Sequence, residues 1–210
     1  MLSLEVLRAA LDAQKLDRRV FEPNATHASV AMILTRRDGD LEVCFIRRAE
    51  REGDPWSGQV AFPGGRASPL DKSPAHVAER ETSEEVGLDI NESERIGSLP
   101  QRVIERKDLK GNLTLSPIVY YIESKKAEKA IALQKAEVAH VFWVPLSHLF
   151  NEDFVTEIEY PMGGQLRNFP GITHDGEVIW GLTLRVLQSF SEAVGAVSYT
   201  HLTLPTKRIV

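Results

Sequence analysis

The residues Gly64-Gly65-Arg66-Ala67-Ser68-Pro69-Leu70-Asp71-Lys72-Ser73-Pro74-Ala75-His76-Val77-Ala78-Glu79-Arg80-Glu81-Thr82-Ser83-Glu84-Glu85-Val86-Gly87-Leu88 read as a glycine loop feeding an acidic helix. Ser73 before Pro74 is a start signal, a capping hydroxyl followed by proline at the first helical position, and Gly87 is the matching stop. At ~100° per residue, Ala75, Ala78, Thr82 and Val86 share one stripe, and Glu81, Glu84 and Glu85 share a neighbouring one. Three acids at that spacing repel one another, each pair costing a few tenths of a kcal/mol, so the helix must gain something in return. A hard divalent cation provides it, because carboxylate oxygens suit Mg²⁺ or Mn²⁺ bridged to substrate phosphates. Arg80 beside the acids is placed to hold one of them. The alternative is a solvated acidic face, against which stand the glycines and both helix signals in register.

These residues resemble the Nudix hydrolase signature: Gly, five residues, Glu, seven residues, Arg-Glu, an apolar residue, any residue, Glu-Glu, any residue, Gly and an apolar residue. Arg80, Glu81, Glu84, Glu85, Gly87 and Leu88 fall on its second half without a gap. The first half departs. Asp71 stands where the signature has Glu, one extra residue separates it from Arg80, and Thr82 replaces an apolar side chain. The longer loop, the aspartate and the upstream run Gly58-Gln59-Val60-Ala61-Phe62-Pro63-Gly64-Gly65 are similar to the subgroup that includes coenzyme A diphosphatases. Where those enzymes carry a His before Gly-Gln-Val, this chain has Asp54-Pro55-Trp56-Ser57, which weakens the coenzyme A assignment.

The resemblance implies an α/β fold, a Nudix-type α/β/α sandwich with a mixed β-sheet, and hydrolysis of a nucleoside diphosphate linked to another group. It implies metal ligation by Glu81, Glu84 and Glu85 with Mg²⁺ or Mn²⁺ as cofactor. Arg80, Glu84, Glu85 and Glu137 are the implied catalytic residues, Glu137 as the late glutamate that acts as base or extra ligand, with simple surface exposure as its alternative. Arg48 matches an arginine of the subgroup's upstream motif and is the expected substrate phosphate contact. Gly64 and Gly65 are expected to bring backbone N–H groups to a phosphate, although a tight turn explains two glycines equally well. Coenzyme A or a derivative is the first substrate; ADP-ribose, NADH or a nucleotide sugar is the alternative. A non-catalytic binding module of the same fold is a third reading, and the glutamate triplet argues against it.

With 210 residues, a net charge of −5 and no long basic run, the chain fits one catalytic domain with nothing to draw it to nucleic acid or an anionic membrane. Its single cysteine, Cys44, excludes an intrachain disulfide and cysteine metal clusters. Glu5, Arg8 and Asp12 interrupt any apolar leader, so a cytoplasmic location is expected. Residues 1–27 read as an N-terminal helix and linker, 28–195 as the Nudix domain, and 196–210 as a tail resembling a translated sequencing-adaptor read-through. The helix from Met1 to Leu16 is expected to pack on the domain, or to make a homodimer contact.

Strands are expected at Ala28–Thr35 and Leu41–Ile46, joined by an Asp38-Gly39 hairpin, and at Gly58–Phe62, Ile96–Leu99, Leu113–Ile122 and Ala136–Val144. Pro117 marks Leu113–Ile122 as an edge or bulged strand. Gln101–Asn112 reads as a mobile loop, a candidate lid with ordinary loop disorder as the alternative, Ser124–Ala130 as a solvated connection, and Pro145–Phe150 as a short helix. Tyr160–Phe169 reads as a hairpin. After Asp175-Gly176 a last helix carries Val178, Ile179, Leu182, Val186, Leu187 and Phe190. Phe169 or Trp180 is a candidate to stack on a base, with core packing as the alternative. His140 and His148 lack metal-ligand spacing.

Overall fold

The structure is a computed structural model that describes residues 3–12, 21, 23–24, 26–54, 56–105, 112–162 and 164–195. Its elements run α1 (Leu4–Asp12), β1 (His27–Arg37), β2 (Asp40–Arg48), β3 (Val60–Ala61), β4 (Gly64–Arg66), α2 (Pro74–Val86), β5 (Arg95–Ser98), β6 (Arg102–Ile104) and β7 (Leu113–Tyr121). They continue through α3 (Ser124–Ala127), β8 (Val138–Pro145), α4 (Leu146–Leu149), a 3₁₀ turn (Glu152–Phe154), β9 (Val155–Met162), β10 (Gln165–His174), β11 (Glu177–Trp180) and α5 (Gly181–Ala193).

Among the described residues eight strands form one mixed sheet and β9, β10 and β11 form a second, antiparallel one. In the large sheet β1 runs parallel to β7 along one edge and antiparallel to β2 and β4 along the other. The β1–β2 hairpin closes through Asp38-Gly39, both at positive φ (48° and 87°), the two-residue turn whose twist matches the strands. Beyond the Leu34–Val43 pair the two strands part, and the short strands fill the fork: β3 lies along β2, and β4 lies along β1. The fork is where the candidate site is built.

Side chains alternate between the two faces of this sheet. Met32, Leu34, Val43, Phe45, Leu115 and Val119 join Leu7 and Leu11 of α1 and Leu184, Leu187 and Phe190 of α5 in the larger apolar cluster. Ala31, Ile33, Cys44, Ile46, Ile118 and Tyr120 join Ala78 and Val86 of α2 in the smaller. Helices thus cover both faces of a mixed sheet, the expected α/β/α sandwich. Leu7 and Leu11 are buried, so α1 is part of this core. Among the described residues no helix is long and apolar enough to cross a membrane.

Several local expectations are corrected. β7 is central, with β1 on one edge and β5 and β6 on the other. Pro117 is accommodated because its carbonyl accepts from Leu99 N–H at 3.0 Å. Its missing N–H points to that same edge, at the break between β5 and β6, so no ladder bond is lost. The Gln101–Asn112 segment begins with strand β6, and its residues 106–111 lie outside the described set. Ser124–Ala127 is a helical turn with Ala127 buried. The Tyr160–Phe169 hairpin extends from Val155 to His174, and its Gly163 lies outside the described residues. Glu177–Trp180 is a strand and the last helix starts only at Gly181. Asp175-Gly176 repeats the positive-φ hairpin turn (46° and 84°), so Val178 and Ile179 pair with β10 before helix begins. Residues 196–210 lie outside the described set.

Candidate active site

Helix α2 spans Pro74–Val86 as its punctuation dictates. Ser73 Oγ accepts from His76 N–H at 3.1 Å, and Gly87, at φ 67°, donates its N–H to Ser83 O. The buried residues of α2 are Ala75, Val77, Ala78, Thr82, Glu85 and Val86. Glu85 is therefore not a flanking acid but part of the covered face, 2% exposed. Its Oε2 accepts Gly64 N–H at 2.8 Å across the gap to β4. Burial pushes the Glu85 carboxyl up to about 8; the Gly64 bond opposes this, and the charges of Glu81 and Glu137 add to it.

Gly64 and Gly65 form a strand rather than a loop. A Cβ on Gly64 would lie 2.3 Å from Ser29 O, and one on Gly65 would lie 2.5 Å from the Glu81 carboxyl carbon. The glycines are thus explained by close approach: β4 threads between β1 and the acids of α2. Gly64 N–H donates to the Glu85 carboxylate across this close approach.

Arg80 organises the acids. Its Nε and Nη2 donate to Asp71 Oδ1 and Oδ2 at 3.1 and 3.0 Å, and Nη2 also donates to Arg66 O. Nη1 lies 2.9 Å from Glu81 Oε1 and 3.2 Å from Glu84 Oε2. Asp71 is the anchor that the sequence left without a role. It is 3% exposed, and it also accepts Ser68 N–H at 2.7 Å while its own N–H donates to Ser68 O. Burial alone would raise its carboxyl, but the bonds from Arg80 and Ser68 outweigh that and hold it near 2. The reciprocal Ser68–Asp71 spacing was the signal available; Arg80, nine residues on, has no local spacing rule to reveal it.

Glu137 is in the turn just before β8 rather than at its start, and its carbonyl accepts Ala49 N–H. Its charge acts on both Glu81 and Glu85, so the structure brings it into the same field. Glu81 is pushed up as well, first by burial, with Arg80 opposing and Glu84 and Glu137 adding. Glu84 is the most exposed acid, about half accessible, and is turned to Arg80. Arg48, at the end of β2, lowers the Glu85 carboxyl through its charge and pairs with Asp54 at 2.6 Å. Glu81, Glu85, Glu137 and Arg48 thus share one electrostatic field at the fork, with Arg48 paired to Asp54.

The donor chemistry fits a divalent cation. Glu81, Glu84, Glu85 and Glu137 supply hard oxygens, and two of them are held above the ordinary carboxylate range by burial and by one another. Among the described residues no three His, Cys, Asp or Glu side chains form a ready-made cluster; Arg80 and Gly64 N–H engage the acids instead. Away from the fork, Trp180 lies against Tyr160 and Phe169, 4.8 and 5.7 Å between centroids, so these rings pack on the second sheet. His148 donates from Nε2 to Thr173 O at 2.8 Å and stacks on Phe154, and His140 Nε2 lies 3.3 Å from Glu177.

An uncharacterized Schizosaccharomyces pombe protein is 35% identical over 119 residues, covering 56% of this chain and 36% of that protein. The mitochondrial coenzyme A diphosphatase NUDT8 of Homo sapiens is 30% identical over 162 residues, covering 74% of this chain and 64% of that protein. An uncharacterized Nudix hydrolase, NudL of Photorhabdus laumondii, is 30% identical over 163 residues, covering 78% and 76%. The chain spans about a third of the length of the fission-yeast relative and just under two-thirds of the human one. The family model described as the NUDIX domain matches residues 25–162, from just before β1 to the end of β9. The chain belongs to the NUDIX domain family.

Proposed function

We propose that this chain is a metal-dependent diphosphatase that cleaves a nucleoside diphosphate joined to another moiety, with coenzyme A or a derivative as its first substrate. The observation that carries the reading is the buried, Gly64-bonded Glu85 set in one field with Glu81 and Glu137. A helix that only needed to pack would gain by losing that carboxylate. The human relative named as a coenzyme A diphosphatase supports the substrate class.

The residues divide the work. Glu81, Glu84 and Glu85 would hold Mg²⁺ or Mn²⁺, with Glu137 as an additional ligand or base. When bound, the cation offsets charge on the non-bridging phosphate oxygens. Asp71 fixes Arg80, and Arg80 fixes Glu81 and Glu84, so the acids are oriented before substrate arrives. In the reaction a water oxygen bonds to one phosphorus and the bond from that phosphorus to the bridging oxygen breaks. The water proton passes to a carboxylate of this set, and the leaving phosphate carries the electron pair away. Arg48 offers its guanidinium to a substrate phosphate.

The test is a substrate panel with products identified. Coenzyme A should yield 3′,5′-ADP and a 4′-phosphopantetheine fragment, with activity abolished by chelator and restored by Mg²⁺ or Mn²⁺. Arg48→Ala should lower kcat/KM on coenzyme A by about tenfold or more, the scale of one charge-assisted contact of roughly 1.5–3 kcal/mol. Asp54 beside Arg48 favours a second reading, because it takes up charge that a coenzyme A phosphate would use. If ADP-ribose, NADH or a nucleotide sugar is cleaved far faster than coenzyme A, that second reading replaces the first within the same chemistry.

A further inference from the structure

The segment from residue 49 to residue 59 joins β2 to β3 and is tied to the candidate site by two ion pairs of opposite sense. Its acid meets an arginine of the site: Arg48 Nη2 donates to Asp54 Oδ2 at 2.6 Å. Its arginine meets an acid of the site: Arg51 Nη1 lies 3.4 Å from Glu137 Oε1. The second pair is half exposed and contributes little. The first is more enclosed, its side chains 26% and 17% exposed.

The local turn, not Arg48, fixes Asp54. Asp54 Oδ1 accepts Trp56 N–H at 3.0 Å, Asp54 O accepts Ser57 N–H at 3.0 Å, and Ser57 Oγ accepts Arg51 N–H at 2.8 Å. One carboxylate oxygen closes the turn while the other is left facing Arg48. Arg48 in turn has capacity to spare, because its Nε is buried and has no hydrogen-bond partner. A guanidinium presents a fork of donors suited to a planar or tetrahedral oxyanion, and one carboxylate oxygen does not fill it.

We infer that Asp54 is a specificity-determining residue: it is an internal competitor that occupies Arg48 and must be displaced by an oxyanion of a diphosphate ligand. The inference rests on the diphosphatase reading for its biological meaning. The physical step is an exchange of one anion for another on the same donor. A ligand carrying no more charge than a carboxylate gains nothing by that exchange. A diphosphate, with several anionic oxygens to set on the guanidinium fork, does gain. Asp54 therefore discriminates by charge at the cost of affinity.

Asp54→Asn separates the two functions of the residue, since the amide oxygen still closes the turn on Trp56 N–H while the negative charge on Arg48 is gone. Binding of inorganic diphosphate to the full chain in the presence of Mg²⁺, followed by calorimetry, should tighten about tenfold, the scale of one charge-assisted bond. In an Arg48→Ala background the same change should have no effect on that affinity. On coenzyme A the gain should fall on KM rather than on kcat. Diphosphate bound no more tightly by Asp54→Asn, or more weakly, overturns the inference and makes Asp54 a support that positions Arg48. Circular dichroism checks folding, and Asp54→Ser is measured in the same way if the Asn variant is unfolded. Tighter diphosphate binding without hydrolysis of any panel compound would sink the diphosphatase reading and leave the competitor; hydrolysis without tighter binding would do the reverse.

Discussion

Under α1 and α5 the large sheet gathers Met32, Leu34, Phe45 and Val119 with Leu7, Leu11, Leu187 and Phe190, all apolar and almost fully buried. Under α2 it gathers Ala31, Ile33, Ala78 and Tyr120, and around them it buries Ser29, Asp71, Thr82 and Glu85. Ser29 Oγ and Thr82 Oγ1 on this side have no hydrogen-bond partner among the described contacts. One sheet thus carries two kinds of interface. The first is mostly hydrocarbon, with Thr183, Ser189 and Ser191 as its buried polar side chains along α5. The second accepts unfavourable burial of polar groups so that carboxylates stand at fixed positions against β4. If function is stored on the α2 face and stability on the other, substitutions on the two faces should separate cleanly.

The largest expected effect is on the apolar face. Phe190 is fully buried, so Phe190→Ala should cost about 3–5 kcal/mol in unfolding free energy by lost burial and cavity formation. Turnover per folded molecule should stay near that of the parent chain, as read by denaturant melts beside active-fraction kinetics. A fall in turnover of the folded fraction would show that the two faces are coupled through the sheet.

Glu85→Gln should do the opposite. The amide can still accept Gly64 N–H, but the charge is lost, so turnover should fall by about 10²-fold or more, the scale of one major electrostatic contributor. Metal-free stability near neutral pH should rise, because a buried carboxylate has been removed. Unchanged kinetics would mean that the acidic face is only solvated; a fall in stability would mean that this carboxylate is structural.

A pH titration sharpens the same contrast. Glu85 is held up at about 8 in the folded chain, above its unfolded value near 4.5, so the folded state keeps a proton that the unfolded state has lost. Its stabilising contribution is complete below the unfolded value and disappears as pH rises through about 8. His174 is shifted down, first by burial, so its contribution has the opposite slope and is spent by about pH 6.5. In chelator, stability should therefore fall between about pH 6.5 and 8 with a slope of up to ~1.4 kcal/mol per pH unit, the value for one proton. The slope should become much shallower in Glu85→Gln, with the raised Glu81 leaving a remainder of the same sign. A flat profile in the parent chain would show that the Gly64 bond and Arg48 keep Glu85 ionised throughout.

What the sequence made legible follows from how local each cause was. Ser73-Pro74 and Gly87 set the limits of α2, and Asp38-Gly39 set the first hairpin, because caps and two-residue turns are settled within a few residues. The family resemblance picked out Glu81, Glu85, Glu137 and Arg48, all of which border the fork. The burial of Glu85 was not legible, since the wheel placed it beside the apolar stripe and only the packing of β4 shows that it is covered. Pro117 misled for a related reason: a missing donor forbids a central strand only if a neighbour needs it, and here β5 has ended and β6 has not begun. Val178 and Ile179 fitted the helical period of α5, but the Asp175-Gly176 turn had already committed them to β11. The Arg48–Asp54 and Arg80–Asp71 pairs are tertiary contacts, and no periodicity announces them.

The smallest expected effect tests whether the α2 face has any stability of its own to lose. Ser73 Oγ accepts His76 N–H at 3.1 Å, satisfying one donor that the helix cannot satisfy internally. Ser73→Ala removes that acceptor and should cost about 1 kcal/mol, while Ser73→Gly should cost only a few tenths. The cap lies two turns before Glu81 along a helix that Asp71 also fastens through Arg80, so the first turn can loosen without moving the acids. The melting temperature should therefore drop by a few degrees at most, with kcat and the metal requirement unchanged. If Ser73→Ala instead lowers kcat tenfold while the melt hardly moves, the cap sets the position of the carboxylates. In that case the Asp71–Arg80 anchor is insufficient to hold them by itself.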